Sequence, residues 1–371
     1  MIKYFSVENY YSIKNENIIE FDLNVTHSSF SAHPTLGLAG ANASGKTNFI
    51  KGLNFIFWFM GYSFFSKETQ IPVKKFVGLE NLPTKFNLVF SIDNQDIEYE
   101  LEINGNKVLK EILICNHSMI YERSLKNVVF GGRFTEFSTK DLRDTSSIVS
   151  YATNFDSHVV AKNIRTYIDK GHTNVDRDGH SIIEFHNTNL RDLSQTTLIK
   201  NQAIKIAQLA DIGIVDFFVR DEEPNNLTPE LAFFKHKIGN ALSDFTFEQE
   251  SSGTLQFFSL LSNILPILET GGLIIIDEIE IKLHQNLVAY LIGLFQNPLV
   301  NLGAAQLIFT FHNSLFMDIL LPEQLWLAEK NNKGETELFC AANFEDIENI
   351  HKKSLEKLYR IGRFGAKPKG I

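Results

Sequence analysis

Cysteine is scarce: Cys115 and Cys340 are the only two in 371 residues, and neither belongs to a metal-type pair. That excludes a disulfide scaffold and a thiolate metal knuckle, and it suits a reduced, cytosolic compartment. No apolar run approaches the ~20 residues that a membrane-spanning helix needs. The greasiest stretch, FIFWFMGYSFF at 55–65, is about half that length and reads as a buried helix. The N-terminus MIKYFSVENYYSIK lacks the apolar core of a secretory signal, so a cytoplasmic protein without a membrane partner is expected. Positive charge is also short. With a net charge of −9, any contact with nucleic acid would have to be a local basic patch. What abounds is phenylalanine, 32 residues, within a chain that is 44% apolar and 21% charged. Such a composition describes a globular chain with ample core, enough for one large domain or two ordinary ones.

Periodicity divides the chain. Residues 1–40 read as strands (IKYFSVENYYSI, NIIEFDL, HPTLGLAG), followed by a helix from near Ser44 past Trp58. FNLVFSI, DIEYELEI and KVLKEILIC alternate with period two and are joined by Asp93-Asn94 and Asn104-Gly105-Asn106, so an antiparallel meander is expected. From about 137 to 212 the pattern is polar and helical, with Leu190, Leu193, Ile206 and Leu209 on one period. RDEEPNNLTPE at 220–230 reads as a linker. Then ESSGTLQFFSLL and HQNLVAYLIGLF read as helices between the apolar strands GGLIIIDEIEI and AAQLIFTFHNS. Apolar strands alternating with helices imply a mostly parallel sheet covered on both faces. The expected organisation is 1–136 with the glycine loop and meander, 137–247 as helical insertion and linker, 248–330 as a second α/β lobe, and 331–371 as a C-terminal extension.

Gly40-Ala41-Asn42-Ala43-Ser44-Gly45-Lys46-Thr47 fits the phosphate-loop pattern, with a strand before it and a helix after it. Its glycines let successive N–H groups point at a phosphate, and the helix N-terminus adds positive partial charge. Lys46 would reach the β and γ phosphates, Thr47 would ligate Mg²⁺, and Asn48 completes the nucleotide-binding run. A chance match in a chain this long is on the order of one in a hundred. The loop needs an acid for its metal, and LIIIDEIE supplies Asp277 for Mg²⁺ and Glu278 to polarise the attacking water, at the strand end where ligands of open α/β sheets sit. Ser251, Ser252 and Gly253 open an apolar helix, as an ordinary cap or as an anion site. His312 ends the strand LIFTF, within reach of a γ-phosphate or as a structural histidine.

In this order, the phosphate loop, long insert, SSGT, IIIDE and FTFHN resemble the ABC-type ATPase heads of the SMC, RecF and Rad group. VENYYSIKNENIIEF, LADIGIVDF, ESSGTLQFFSLL, DEIEIKLHQNL and LYRIGRFGAKP narrow the likeness to the stand-alone bacterial ATPases of abortive-infection systems, the AbiL/RloA type. The resemblance implies an α/β P-loop NTPase fold of ABC-head type, with a mostly parallel core sheet, an antiparallel meander and a helical insertion. It implies ATP and Mg²⁺ as cofactors and ATP hydrolysis as the activity. Ser251, Ser252 and Gly253 become a signature motif that caps the γ-phosphate of ATP on a second subunit. Glu278 becomes the hydrolytic base, His312 the switch histidine, and Lys282-Leu283-His284 the D-loop, although His284 stands where Asp is usual. No glutamine after the meander fits a Q-loop.

The implied function is a nucleotide-driven dimeric switch, a sensor or regulator in anti-phage defence whose effector, a nuclease or toxin, is a separate protein. The alternatives are an SMC/RecF-like ATPase of DNA maintenance and an OLD-like ATPase supporting a nuclease. A transporter subunit is disfavoured by the N-terminal motif. A GTPase is disfavoured because Asn106-Lys107 is followed by Val108-Leu109 rather than by x-Asp. The tail HKKSLEKLYRIGRFGAKPKG holds seven Lys or Arg against one Glu and is either a solvated tail or a docking surface for protein or nucleic acid.

Overall fold

A computed structural model describes residues 1–21, 30–67, 69–131, 138–154, 158–176, 187–194, 196–210, 213–220 and 231–365. In chain order, β1 (Ile2–Glu8) and β2 (Asn17–Glu20) precede β3 (Thr35–Ala39), which feeds the glycine loop and the helix Lys46–Tyr62. The period-two stretch becomes β4 (Thr84–Ile92), β5 (Gln95–Asn104) and β6 (Lys107–Cys115), then continues into β7 (Ser118–Ser124) and β8 (Asn127–Phe130). Asp93 and Asn94 both take positive φ, 49° and 62°, as a tight hairpin of the expected kind requires. These strands form one antiparallel sheet in the order β2-β1-β4-β5-β6-β7-β8.

The stretch 137–247 is only partly helical. Helices Ile148–Ala152, Val159–Asp169, Asn187–Leu193 and Thr197–Ala210 are present, but they are interrupted by β9 (His172–Thr173) and followed by strands. β10 (Ile214–Arg220), β11 (Leu231–Ile238) and β12 (Ala241–Thr246) make a separate three-stranded antiparallel sheet where a linker was expected. Alternation decides it: Phe217 and Phe234 point into the core, while Phe218 and Phe233 stack on the other face. Residues 221–230, the supposed linker itself, lie outside the described residues.

The helix Ser252–Thr270 leads to β13 (Leu273–Ile276), and the helix Gln285–Gln296 leads to β14 (Gln306–Thr310). β15 (Leu325–Lys330) and β16 (Thr336–Cys340) complete the core sheet, order β16-β15-β3-β14-β13-β9, parallel throughout except for the β15–β16 hairpin. The segment expected as an extension from 331 therefore contributes a strand of the core. Residues 366–371 of the basic tail lie outside the described residues.

Both faces of the core sheet are covered, as its continuous apolar strands demand. Leu273, Ile275 and Ile308 face the helix Lys46–Tyr62 and the meander, while Ile274, Ile276, Leu307 and Phe309 face the helices Ser252–Thr270 and Gln285–Gln296. Gln306, fully buried, ties the two large sheets: its amide accepts from Ile2 N at 2.7 Å and donates to Ile2 O and His33 O. FIFWFMG lies inside the buried helix, and among the described residues no helix is long and apolar enough to cross a membrane.

Candidate functional site

β3 stops at Ala39, and the loop turns through Gly40 (φ 148°), Ala43 (φ 60°) and Gly45 (φ 106°) before the helix begins at Lys46. Both glycines are required by space as well as by φ. A Cβ on Gly40 would meet Ala328 O at 2.3 Å, and one on Gly45 would meet Thr336 Oγ1 at 2.1 Å. The helix has no side-chain cap, so its first N–H groups depend on another partner. Ser44 Oγ is buried with no hydrogen-bond partner among the described residues. Lys46 is buried, and its Nζ donates to Gly40 O at 2.8 Å and Ala41 O at 3.1 Å. Burial holds its pKa below the usual lysine value, while Asp277, Glu278 and Glu280 pull the other way. Orphaned donors, an unpaired hydroxyl and a buried ammonium are what a polyphosphate would satisfy, so the loop fits one.

The acid end reaches the loop directly. Thr47 Oγ1 donates to Asp277 Oδ2 at 2.8 Å, and Asp277 is buried at the end of β13. Thr310, the last residue of β14, donates to Asp277 Oδ1, and its hydroxyl accepts from Glu278 N at 2.8 Å. Asn174, just after β9, grips the Asp277 peptide: Asp277 N donates to Asn174 Oδ1 at 2.7 Å, and Asn174 Nδ2 donates to Asp277 O at 3.0 Å. Among the described residues no group of three or more His, Cys, Asp or Glu could hold a metal alone. A hydroxyl and one carboxylate suit Mg²⁺, whose remaining ligands are typically phosphates and water.

Glu278 has left-handed backbone (φ 53°), which costs a non-glycine residue roughly 1 kcal/mol. That turn brings its Oε1 to 3.2 Å from His312 Nε2, with Glu278 half-buried and His312 exposed. The His312 backbone is held by Glu280, whose Oε1 accepts from His312 N at 2.5 Å and from Asn313 N at 3.3 Å.

Asn48, expected at the nucleotide, donates to Ser12 Oγ at 2.8 Å. Ser12 Oγ lies 2.7 Å from Thr336 Oγ1, which donates to Ser44 O at 2.9 Å. This relay braces the loop from behind. Ser251 caps its helix by accepting from Thr254 N at 3.1 Å, Ser251 and Ser252 are exposed, and Gly253 abuts the Lys282 carbonyl, which a Cβ would approach to 2.9 Å. His284 caps the next helix through Nδ1.

Residues 36–318 match the family described as "AAA domain, putative AbiEii toxin, Type IV TA system". The chain belongs to this AAA family. Among solved structures it is similar to the SMC head domain from Thermotoga maritima, at 14% identity and a TM-score of 0.47, covering 91% of this chain and 98% of that one. No curated protein matches. Ala328 and Thr336, which press on the loop glycines of this AAA domain, lie beyond the matched stretch.

Asn174, Thr310, Glu280, Ser12 and Thr336 join the site without having been read from the sequence. Only Thr310 carried a signal, as the one hydroxyl in the apolar run LIFTF immediately before His312.

Proposed function

We propose that this AAA protein binds and hydrolyses ATP with Mg²⁺ and closes as a dimer of heads around the nucleotide. The observation that carries this is the continuous chain of contacts Thr47–Asp277–Thr310–Glu278–His312 beside a loop shaped for phosphate. Gly40 through Asn48 would hold the phosphates, Thr47 and Asp277 the metal. Glu278 would take the proton of the attacking water, and His312, 3.2 Å away, would orient that carboxylate and sense the γ-phosphate. Ser251, Ser252 and Gly253 would complete the site of a second copy, a role supported by the exposure of the two serines at a helix start. The family description and the resemblance to AbiL/RloA-type ATPases support a regulator of bacterial abortive infection that governs a separate effector.

Glu278→Gln tests the core of this reading. It should bind ATP, turn over at least about a hundredfold more slowly, and accumulate a dimer by light scattering in ATP. Unchanged turnover would reassign the base, and absence of ATP binding to the unsubstituted chain would end the nucleotide reading.

A further inference from the structure

A cavity of about 410 Å³ runs along the helix Lys46–Tyr62, within the size range of small-molecule sites. Its walls are strongly aromatic: Phe55, Trp58 and Tyr62 from the helix, Tyr10 and Tyr11 from the turn after β1, and Tyr167 from the helix Val159–Asp169. Such walls favour a flat ring, which stacks or meets them edge-on. Two lining residues carry buried polar atoms with no hydrogen-bond partner among the described residues, Tyr167 Oη and His172 Nε2. Natural interiors leave few such atoms unpaired. Burial pushes the Tyr167 hydroxyl up and the His172 imidazole down in pKa, so both offer neutral hydrogen-bonding groups. Thr173, Asp176 and Lys51 also line the space; the Asp176 carboxylate suits hydroxyls, and the Lys51 ammonium lies over the Tyr11 ring.

The cavity lies between the carriers of the two expected magnesium ligands. One wall is the helix that begins with Lys46 and Thr47; another holds Leu273 and Ile275 of β13, the strand that ends beside Asp277, and β9, whose next residue, Asn174, grips the Asp277 peptide. Asn54, also lining the cavity, donates to Val175 O at 2.8 Å and so joins the walls.

We propose that this cavity binds a nucleoside, a flat heteroaromatic ring with hydroxyls, and that its occupancy adjusts the Thr47–Asp277 contact. Binding is independent of the ATPase reading; the adjustment of turnover rests on it.

Trp58 is one of only two tryptophans, so in a Trp326→Phe background its fluorescence reports the cavity. Adenosine, guanosine, cytidine and uridine are titrated into the full chain. At least one should quench saturably, and Tyr167→Phe, which removes only the hydroxyl, should weaken it about tenfold, the worth of one hydrogen bond. Quenching should persist in Lys46→Ala. No saturable change with any of the four overturns the proposal. So does its loss in Lys46→Ala, which would assign the ring to a nucleotide held by the glycine loop. Hydrogen–deuterium exchange on the unsubstituted chain is the second measurement: the active nucleoside should protect 51–62 and 165–175, and unchanged exchange there overturns the site. The same nucleoside should alter ATP turnover at least twofold. Binding with unchanged turnover overturns the coupling, whereas binding in a chain with no turnover at all overturns the ATPase reading and leaves the site standing.

Discussion

The glycine-loop end of the core sheet is closed on itself, whereas Ser251–Gly253 is open. Around the loop, Lys46 is buried and bonded within the loop, while Asp277, Thr310 and Thr336 are buried and hydrogen-bonded across long sequence separations. Ser251 and Ser252 have only a local cap and face solvent. Buried, cross-linked polar groups make a pre-set site, while a helix N-terminus left exposed can still take an external anion. The contrast is what a composite site divided between two copies would need: one half rigid before assembly, the other presented outward.

Four experiments bear on that contrast. The largest effect belongs to Lys46→Ala, which should weaken ATP binding at least a hundredfold by calorimetry; near-normal affinity would remove the loop from the site. Ser251→Arg should leave ATP affinity of the monomer within about threefold, since this residue is exposed and caps its own helix, yet abolish ATP-dependent dimerisation. A variant that still dimerises would make Ser251 a cap and nothing more. Thr336→Val keeps the shape but removes the hydroxyl that serves Ser44 O and Ser12, and should weaken ATP binding about tenfold, the worth of a buried hydrogen bond. The smallest effect is on stability. Because burial lowers the pKa of Lys46 from 10.5, the unfolded chain binds its proton more readily in the window below 10.5. Stability of the nucleotide-free protein therefore gains from this group as pH rises through that window. Lys46→Met should remove that gain and raise Tm by about 2 °C at neutral pH, read by differential scanning fluorimetry at pH 7–10.

Much of this organisation was legible because its signals are local. The glycine loop, Asp277-Glu278 at the end of an apolar strand and His312 at the end of another are each written within a few consecutive residues. The meander was legible through β6 from period two and its Asn-containing turns. β10–β12 were not, because a helical period from 187 to 210 was carried forward to 212 and the polar composition of 220–230 masked a hairpin between two alternating strands. β9 is two residues long and belongs to the sheet only through Ile274 and Ile275, a pairing about a hundred residues distant. Asn174 and Thr336 were illegible for the same reason: each acts on a residue that only tertiary folding brings near.

β3 is flanked by β14 and β15, and the loop that follows it is pressed by Ala328 and Thr336, so the glycine loop is completed by strands more than 250 residues later in the sequence. On the ribosome, a nascent chain that has emerged only as far as residue 320 has the glycine motif but neither of the contacts that shape it. The shape of this loop is thus deferred until residues 328 and 336 have been made. A product truncated before residue 328 would carry the glycine motif and lack both of the contacts that shape it.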